Sequence, residues 1–294
     1  INMIKICNDV LSVEVSELGA EIRSIRRVGS DHEYIWTGDA TYWNGQAPLL
    51  FPAIGKLWNG QYRIDGQVLE MPKHGFARRR DFKVEEQTTD KVVLSLEPDD
   101  ELLAIFPRQF KLSVTYRLDG NKVLVGWTVE NRSNRTMPFQ IGAHPAFCYA
   151  DWHEDDAVHG YLTFEGVTDK LVSAAMTADG FRDGTTFDVA LDGEGRLPLM
   201  NDTFVCDTII ELRRKTNTIT LHDKQGRAMV TVRHELPALG IWSPHGGKAP
   251  FVCIEPWIGA CDTAEYKGLY ADRDIVHSLL TGETFNTEYS IELM

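Results

Sequence analysis

The fold class of this chain is decided by the stretch FKLSVTYRLDGNKVLVGWTV at residues 110–129. Apolar side chains occupy every second position over residues 110–118 and again over residues 123–129. Because successive side chains of a β-strand point to opposite faces, this period of two predicts two strands that each bury one face. The Asp119-Gly120 dipeptide between them favours a tight turn. The stretch therefore predicts an antiparallel β-hairpin.

The same pattern recurs along the chain. A second hairpin is predicted across Asp65-Gly66, between Tyr62 and Val68, and a third from strands at residues 218–222 and 228–233. Weaker strand signals lie at residues 11–15, 92–96 and 209–212.

Helical periodicity is scarce. Residues 99–105 predict a short helix that ends before Pro107, and residues 263–269 predict another. Residues 151–196, rich in Asp, Gly and Thr, predict long loops with short strands. Many short strands with few helices are typical of an all-β fold, an antiparallel sandwich or barrel. Because no linker rich in Pro, Gly and Ser divides the chain, we expect residues 1–294 to form one domain.

The composition is that of a globular protein, and its charge argues against one class of partner. Hydrophobic residues make up 43% of the 294 positions, charged residues 25%, and the formal net charge is -13. Nucleic-acid binding needs clustered Lys and Arg, and the strongly basic stretch Arg78-Arg79-Arg80 with Lys83 is local. We therefore expect no nucleic-acid partner. The net charge does not exclude a small anionic ligand, since a few focused cations can hold one phosphate.

The cysteines and the amino terminus favour a soluble, cytoplasmic protein. The five cysteines are odd in number and lack CxxC spacing, which fits reduced thiols better than disulfides or a zinc ribbon. Residues 1–5 lack an apolar signal segment, and we expect Met3 to be the natural start. The densest apolar run, residues 47–54, is interrupted by prolines and is too short to span a bilayer. We expect no membrane partner.

A first candidate segment is PKHGFAR at residues 72–78. His74 and Arg78 lie four residues apart, and Gly75 lets the backbone turn or approach a ligand closely. The segment could bind a substrate. It could equally be a surface loop in which His74 bonds a backbone carbonyl and Arg78 is solvated.

A second candidate segment is IGAHPAF at residues 141–147. Pro145 favours extended backbone at His144 and excludes a helix there. A histidine held at a strand end between Gly and aromatic residues can present its ring to a cleft. The alternative is a buried histidine satisfied by the backbone.

A third candidate segment is FVCIEPW at residues 251–257. Glu255 ends an apolar run, and carboxylates are rarely buried without a partner. It is either a base whose pKa is raised by burial or one half of a structural salt bridge. Trp257 could stack on a sugar ring or belong to the core. Asp207 could accept hydrogen bonds from sugar hydroxyls or serve a turn.

Motifs for metals and nucleotides are missing. The sequence has no HExxH, no GxGxxG and no P-loop lysine motif. Metal-ligand spacing is also not found among His222, His234 and His245. We expect neither a metal nor a cofactor.

Together these segments resemble the aldose 1-epimerase (galactose mutarotase-like) family, and most closely its LacX-like bacterial branch. The resemblance runs along nearly the whole chain in the family's order, through GAEI (19–22), FPAIGKL (51–57), HGFAR (74–78), GAHPAF (142–147) and CIEPW (253–257). It implies a large antiparallel β-sandwich, the galactose mutarotase-like supersandwich, with a sugar cleft and no cofactor.

The resemblance also implies roles for individual residues. The family's general acid matches His144 and its general base matches Glu255. A substrate-holding histidine matches His74, and a hydroxyl-binding aspartate matches Asp207. We expect Trp257 to contact the sugar as well.

Two positions bear on which sugar is bound. Many relatives have Arg where this chain has Lys56, and a lysine cannot make the planar bidentate contact of an arginine. The hydroxyl specificity is therefore open. Arg78 in the HGFAR form also resembles the hexose-6-phosphate mutarotases, so the substrate is expected to be a sugar or a sugar phosphate.

The resulting prediction is an isomerase that interconverts the α and β anomers of an aldose through transient ring opening. Glu255 would take the proton of the C1 hydroxyl while His144 protonates the ring oxygen. A non-catalytic carbohydrate-binding protein is the first alternative. A glycoside hydrolase is the second, although hydrolases generally use two carboxylates. Exposed sheet edges could pair between two copies of the chain and form a homodimer.

Overall fold

The structure is a computed structural model that describes residues 2–212, 216–244 and 248–294. His245 lies outside these residues. Within them the helical elements are α1 (Asp100–Ile105) and three 3₁₀ turns (Trp58–Gly60, Ala77–Arg79 and Tyr270–Asp272). The strands are β1 (Met3–Cys7), β2 (Leu11–Ser16), β3 (Ile22–Arg27), β4 (Leu49–Leu50), β5 (Gln61–Ile64), β6 (Gln67–Glu70), β7 (Lys83–Gln87), β8 (Lys91–Leu96), β9 (Phe110–Asp119), β10 (Lys122–Asn131), β11 (Met137–Phe139), β12 (Ile141–Ala143), β13 (Ala146–Cys148), β14 (Gly160–Phe164), β15 (Lys170–Met176), β16 (Arg182–Ala190), β17 (Arg196–Leu199), β18 (Ile209–Glu211), β19 (Thr218–His222), β20 (Ala228–Arg233), β21 (Ala238–Trp242), β22 (Phe251–Ile258), β23 (His277–Leu279) and β24 (Thr284–Leu293).

The largest sheet has nine strands in the order β17-β14-β19-β20-β24-β10-β9-β8-β7. The hairpin β9–β10 lies near its middle, with Leu118 opposite Val123 and Phe110 opposite Asn131. Along β10 every second side chain is buried, and the others are half-buried. One face of the sheet therefore packs on the core while the other meets solvent. The hairpin predicted from the period of two is confirmed, as are those at β5–β6 and β19–β20.

The second sheet contains β18, β21, β22, β12 and β4 in that order, and β13 also pairs with β22. Its central strand β22 is buried at all eight positions. The two faces still differ: Val252 and Ile254 join the main core, whereas Cys253 and Trp257 join small apolar clusters on the opposite face. By the same alternation, Glu255 shares the face of Cys253 and Trp257.

One continuous cluster of buried side chains joins the two sheets. It contains Leu112 and Val125 from the large sheet together with Val252 and Ile254 from the second. Small antiparallel units, β1–β2–β3, β5–β6, β11–β23 and β15–β16, complete the structure. Two antiparallel sheets that share one core form a β-sandwich. The predicted all-β class with few short helices is confirmed.

The two helix predictions had opposite outcomes. Helix α1 follows Asp99, whose carboxylate accepts a backbone N–H of the first turn at 2.9 Å. The helix predicted at residues 263–269 is wrong. Glu265 has a positive φ of 64°, and the Ala264 N–H donates to the Arg182 carbonyl, so the backbone follows a neighbouring strand instead of coiling. No described helix has both the length and the apolarity needed to cross a bilayer.

The prediction of long loops and short strands for residues 151–196 is partly wrong. Strands β15 and β16 have seven and nine residues and form an antiparallel hairpin with an irregularity between Ala174 and Met176. The polar residues of β16 are largely exposed, so the sequence lacks a period of two there. The turn of this hairpin, residues 177–181, reaches the cavity described next.

Candidate active site

A cavity of about 180 Å³ opens on the outer face of the second sheet, away from the main core. Its wall includes six of the seven predicted site residues, all except Arg78, and it also includes Lys73, the neighbour of His74. The predicted residues that line it are Lys56, His74, His144, Asp207, Glu255 and Trp257.

The strand register brings His144 and Glu255 together. Strand β12 pairs Gly142 with Trp257, and β13 pairs Ala146 with Cys253, so both pairings lie on β22 in one antiparallel register. Continuing that register places position 144 directly opposite position 255. The chain leaves the ladder between β12 and β13, at Pro145, which has no N–H to donate. The histidine ring therefore lies over the carboxyl group.

The two side chains form a close and almost fully buried pair. His144 Nε2 lies 3.3 Å from Glu255 Oε2, and the side chains are 9% and 1% exposed. Within the described residues, neither His144 Nδ1 nor Glu255 Oε2 has a hydrogen-bond partner. Buried polar atoms without a protein partner are unusual, and such atoms are available to bind water or a ligand.

Burial drives both groups toward their neutral forms. Burial first, and then the positive charges of Lys73 and Arg78, lower the pKa of His144 to about 3. Burial raises the pKa of Glu255 well above its usual range, against the opposing effects of Lys73 and of the Trp257 side chain. Two titratable groups displaced in opposite directions in one cavity are typical of an acid–base site.

Three rings hold the imidazole of His144. Trp43 stacks on it with centroids 4.9 Å apart and planes 26° apart. Trp242 and His74 meet it edge-on, with centroids 5.6 Å away in each case. Because these contacts fix the ring plane, only the Nε2 edge faces Glu255 and the cavity.

The backbone at His74 adopts a left-handed turn conformation. Its φ is +66°, a conformation uncommon for residues other than glycine. Gly75 follows with φ +70°, and a Cβ there would lie 2.1 Å from the Phe51 carbonyl oxygen. The Gly55 N–H donates to His74 Nδ1 at 3.0 Å, so the proton of the neutral ring is on Nε2. Burial first, and then the charge of His144, lower the pKa of His74 well below its usual value.

Trp257 lies flat across the sheet because glycines flank it. A Cβ at Gly142 would lie 2.4 Å from Trp257 Cδ1, and one at Gly240 would lie 2.4 Å from Cη2. Neither position therefore tolerates a side chain without displacing the indole. The Nε1 atom of Trp257 is buried and has no hydrogen-bond partner among the described residues. The indole contributes an apolar wall, and its N–H lowers the pKa of the nearby Glu255.

Lys56 and Asp207 lie at the mouth of the cavity. The Lys56 Nζ donates to the carbonyl of Asp179, at 2.8 Å, in the turn of the β15–β16 hairpin. Asp207 is exposed, has a φ of +72°, and accepts the N–H of Thr208 at 2.7 Å. Both residues are exposed and line the cavity.

Arg78 does not line this cavity. Its Nη2 donates to the Lys73 carbonyl at 3.0 Å, so the guanidinium supports the loop that carries Lys73 and His74. The expectation of a direct sugar or phosphate contact from Arg78 therefore finds no support in the geometry.

Sequence reasoning missed three residues of the site. Trp43 and Trp242 hold the His144 ring, and Lys73 adds a positive charge. A tryptophan in the polar loop DATYWNGQ (39–46) was a usable signal, since so large an apolar side chain usually packs against a partner. Lys73 carried no signal beyond its place beside His74.

A metal is also chemically conceivable here. The potential ligand atoms of His144, Cys253 and Glu255 all lie within 4.8 Å of one another. Burial, however, raises the pKa of the Cys253 thiol well above its usual value, as it does for Glu255. Metal ligation requires the deprotonated forms of these groups. When no metal is bound, burial therefore favours the protonated thiol of Cys253 and the protonated carboxyl group of Glu255.

A sequence profile of the aldose 1-epimerase family matches residues 2–266. The chain belongs to this family, as the resemblance predicted. It is also similar to the chromosomally encoded protein LacX of Lactococcus lactis subsp. lactis, with 32% identity over 299 residues that cover 99% of each chain.

Solved structures agree with this family. A galactose mutarotase-like protein from Lactobacillus casei has a TM-score of 0.94 and 33% identity, with 100% of both chains covered. A galactose mutarotase related enzyme from Lactobacillus acidophilus has a TM-score of 0.92 and 28% identity, covering 100% of this chain and 97% of that one. The galactose mutarotase-like fold expected from the sequence is confirmed.

Proposed function

We propose that the protein is a mutarotase that interconverts the α and β anomers of an aldose, with His144 and Glu255 as its acid–base pair. The observation that carries this proposal is the direct apposition of the two side chains, 3.3 Å apart, at the wall of one cavity. Anomer exchange needs one group that accepts a proton and one that donates a proton. The pair supplies both functions at adjacent atoms.

The reaction opens and recloses the pyranose ring. Glu255 accepts the C1 hydroxyl proton as the C1 carbonyl forms, and His144 Nε2 donates a proton to the ring oxygen as its bond to C1 breaks. Rotation about the C1–C2 bond then presents the other face of the carbonyl. Ring closure reverses both proton transfers. Each positioned donor or acceptor typically contributes about 10²–10⁴-fold to such a step.

The pair holds one proton over the pH range between its two shifted pKa values. At rest burial places that proton on Glu255, since the neutral acid and neutral imidazole are favoured. Its transfer to His144 creates the carboxylate and imidazolium that the opening step requires. The positive charge of Lys73 stabilises the Glu255 carboxylate, although the same charge disfavours the imidazolium of His144. A sugar hydroxyl bound at the pair would favour this charged form of the pair.

Other residues would hold the sugar. His74 presents an Nε2 proton, Trp257 presents an apolar face and an indole N–H, and Asp207 and Lys56 offer an acceptor and a donor at the mouth. We further propose that residues 1–294 act as one domain, a view supported by the core cluster that both sheets share.

Polarimetry tests the proposal. Freshly dissolved single anomers of several aldoses and of their 6-phosphates should reach equilibrium faster with the protein than without it, for at least one sugar. Binding of those sugars without acceleration would instead identify a carbohydrate-binding protein. Release of reducing ends from a panel of glycosides would identify a hydrolase.

A further inference from the structure

A second cavity adjoins the active-site cavity and shares part of its wall. This side cavity, of about 350 Å³, has Lys56, Lys73 and Asp179 in common with the first. Its remaining wall includes Trp58 and Phe181, whose rings meet edge-on with centroids 4.9 Å apart. The two lysines therefore stand at the junction through which a ligand larger than the reacting ring would extend.

The cations at this junction have no carboxylate partner. Within the described residues, neither Lys56 nor Lys73 forms an ion pair, and both are partly exposed residues that line the cleft. Lys56 Nζ donates a hydrogen bond to the backbone carbonyl of Asp179 and not to its carboxylate. It lies 5.9 Å from the Phe181 ring centroid. Six other lysines pair with carboxylates at 2.7 to 3.7 Å, namely Lys83, Lys91, Lys111, Lys170, Lys224 and Lys248, whereas Lys5, Lys122 and Lys267 form no ion pair with a described residue and lie outside the two cavities.

These like charges act on one another. The pKa of Lys73 is lowered by desolvation in the cleft first, then by the charge of Lys56, and also by that of Arg78. Asp207 and Glu255 oppose this effect from the active-site side. Arg78 holds the Lys73 backbone through its carbonyl, which keeps the positive charges close together. An anion placed between Lys56 and Lys73 would relieve the repulsion and gain charge-assisted hydrogen bonds.

We propose that this junction is an anion subsite, where Lys56 and Lys73 bind the phosphate or carboxylate of an aldose whose reducing carbon lies at His144 and Glu255. The substrate class is then an anionic aldose. This inference rests on the proposed mutarotase function. The shared chemistry is a terminal anionic group, and its two sources are a phosphate ester and a uronic acid.

Kinetics with matched sugars test the subsite. Glucose, glucose 6-phosphate and glucuronate share a pyranose ring and differ in the group at C6. NMR anomer-exchange rates should give a higher kcat/KM for at least one of the two anions than for glucose, and rising salt should reduce that preference. Which anion is preferred distinguishes phosphate from carboxylate. Equal kcat/KM for all three sugars would overturn the proposal.

Two variants locate the effect. Lys73→Gln should raise the KM for the preferred anion about 10-fold more than the KM for glucose, as expected for loss of a hydrogen bond to a charged group. Lys267→Gln is the matched control, because Lys267 is exposed, lines neither cavity and removes the same charge. An equal effect of Lys73→Gln and Lys267→Gln on the preference would overturn the subsite.

Calorimetry separates this inference from the proposed function. If no aldose shows accelerated exchange, the mutarotase proposal fails. The anion subsite would still stand if glucose 6-phosphate or glucuronate bound to the wild-type protein and bound about 10-fold more weakly to Lys73→Gln. If exchange is accelerated but neither anion binds more tightly than glucose, the subsite fails and the mutarotase proposal stands.

Discussion

The hairpin β9–β10 and the strand β22 have different patterns of side-chain burial. In the hairpin, burial alternates and one face meets solvent, so its side chains serve the core or solubility. In β22 all eight positions are buried, yet one of them is Glu255. A carboxyl group in a strand that is buried on both faces costs stability unless partners offset that cost, so its presence there points to a function. The difference shows where stability and chemistry reside in this sandwich.

The largest effect expected from this comparison is on catalysis. Glu255→Gln keeps the shape of the side chain but cannot accept the C1 hydroxyl proton. We expect anomer exchange, followed by polarimetry, to slow by about 10²–10⁴-fold while the melting temperature stays level or rises. His144→Asn should slow exchange by a similar factor. A Glu255→Gln variant with near-normal rates would mean that β22 carries no chemistry.

The pH dependence should follow the shifted groups. Because burial lowers the pKa of His144 to about 3, a second proton enters the pair only in strong acid. We expect kcat/KM to stay level from about pH 6.5 to about pH 5, where an unshifted histidine would titrate. The alkaline limb should reflect Glu255 and lie well above the ordinary carboxyl range. Circular dichroism at each pH controls for unfolding. A fall in kcat/KM as the pH drops through about 6.5 would contradict the burial of the His144–Glu255 pair.

The hairpin should show the reverse behaviour. Leu112 is fully buried in β9, and Leu112→Ala should lower the free energy of unfolding by about 2–5 kcal/mol, measured by urea denaturation. Activity per folded molecule should not change, since this residue faces the core far from the pair. Ser113→Ala, on the other face of the same strand, should stay within about 0.5 kcal/mol. A loss of kcat in folded Leu112→Ala would erase the distinction between the two regions.

Adding one methyl group at either of two glycines tests the comparison between β22 and the hairpin with the smallest expected effect. Gly240→Ala would place a Cβ 2.4 Å from the Trp257 indole, so we expect a loss of about 1–3 kcal/mol and a higher KM. Gly126 in β10 is the control, because a Cβ there meets its nearest atom at 3.7 Å, which is ordinary contact. Gly126→Ala should leave both stability and KM close to wild type. Equal KM values for the two variants would remove Trp257 from the sugar site.

Much of the fold was predictable because alternation is a local signal. The three hairpins needed only the period of two and their turn residues. Strand β16 was missed because its exposed polar residues give no period, and residues 263–269 were misjudged because bonds to Arg182 override local helix preference.

The sequence segments that form the candidate site were predictable, but the positions of their side chains relative to one another were not. The segments around His144 and Glu255 stand out in the sequence, and the family resemblance connects them. Their apposition depends on which strands pair and in which register, and this is set by the whole sandwich. The stacking of Trp43 on His144 likewise depends on a loop with no periodic pattern.

The most direct test of the account is the fate of the C1 oxygen. An aldose labelled with oxygen-18 at C1 can be followed by NMR while the protein equilibrates its anomers. Ring opening by the His144–Glu255 pair predicts accelerated anomer exchange with the label kept at C1, because the hydroxyl oxygen becomes the carbonyl oxygen and then the hydroxyl again. Loss of the label at the rate of exchange would show displacement by water at C1 and would contradict the account.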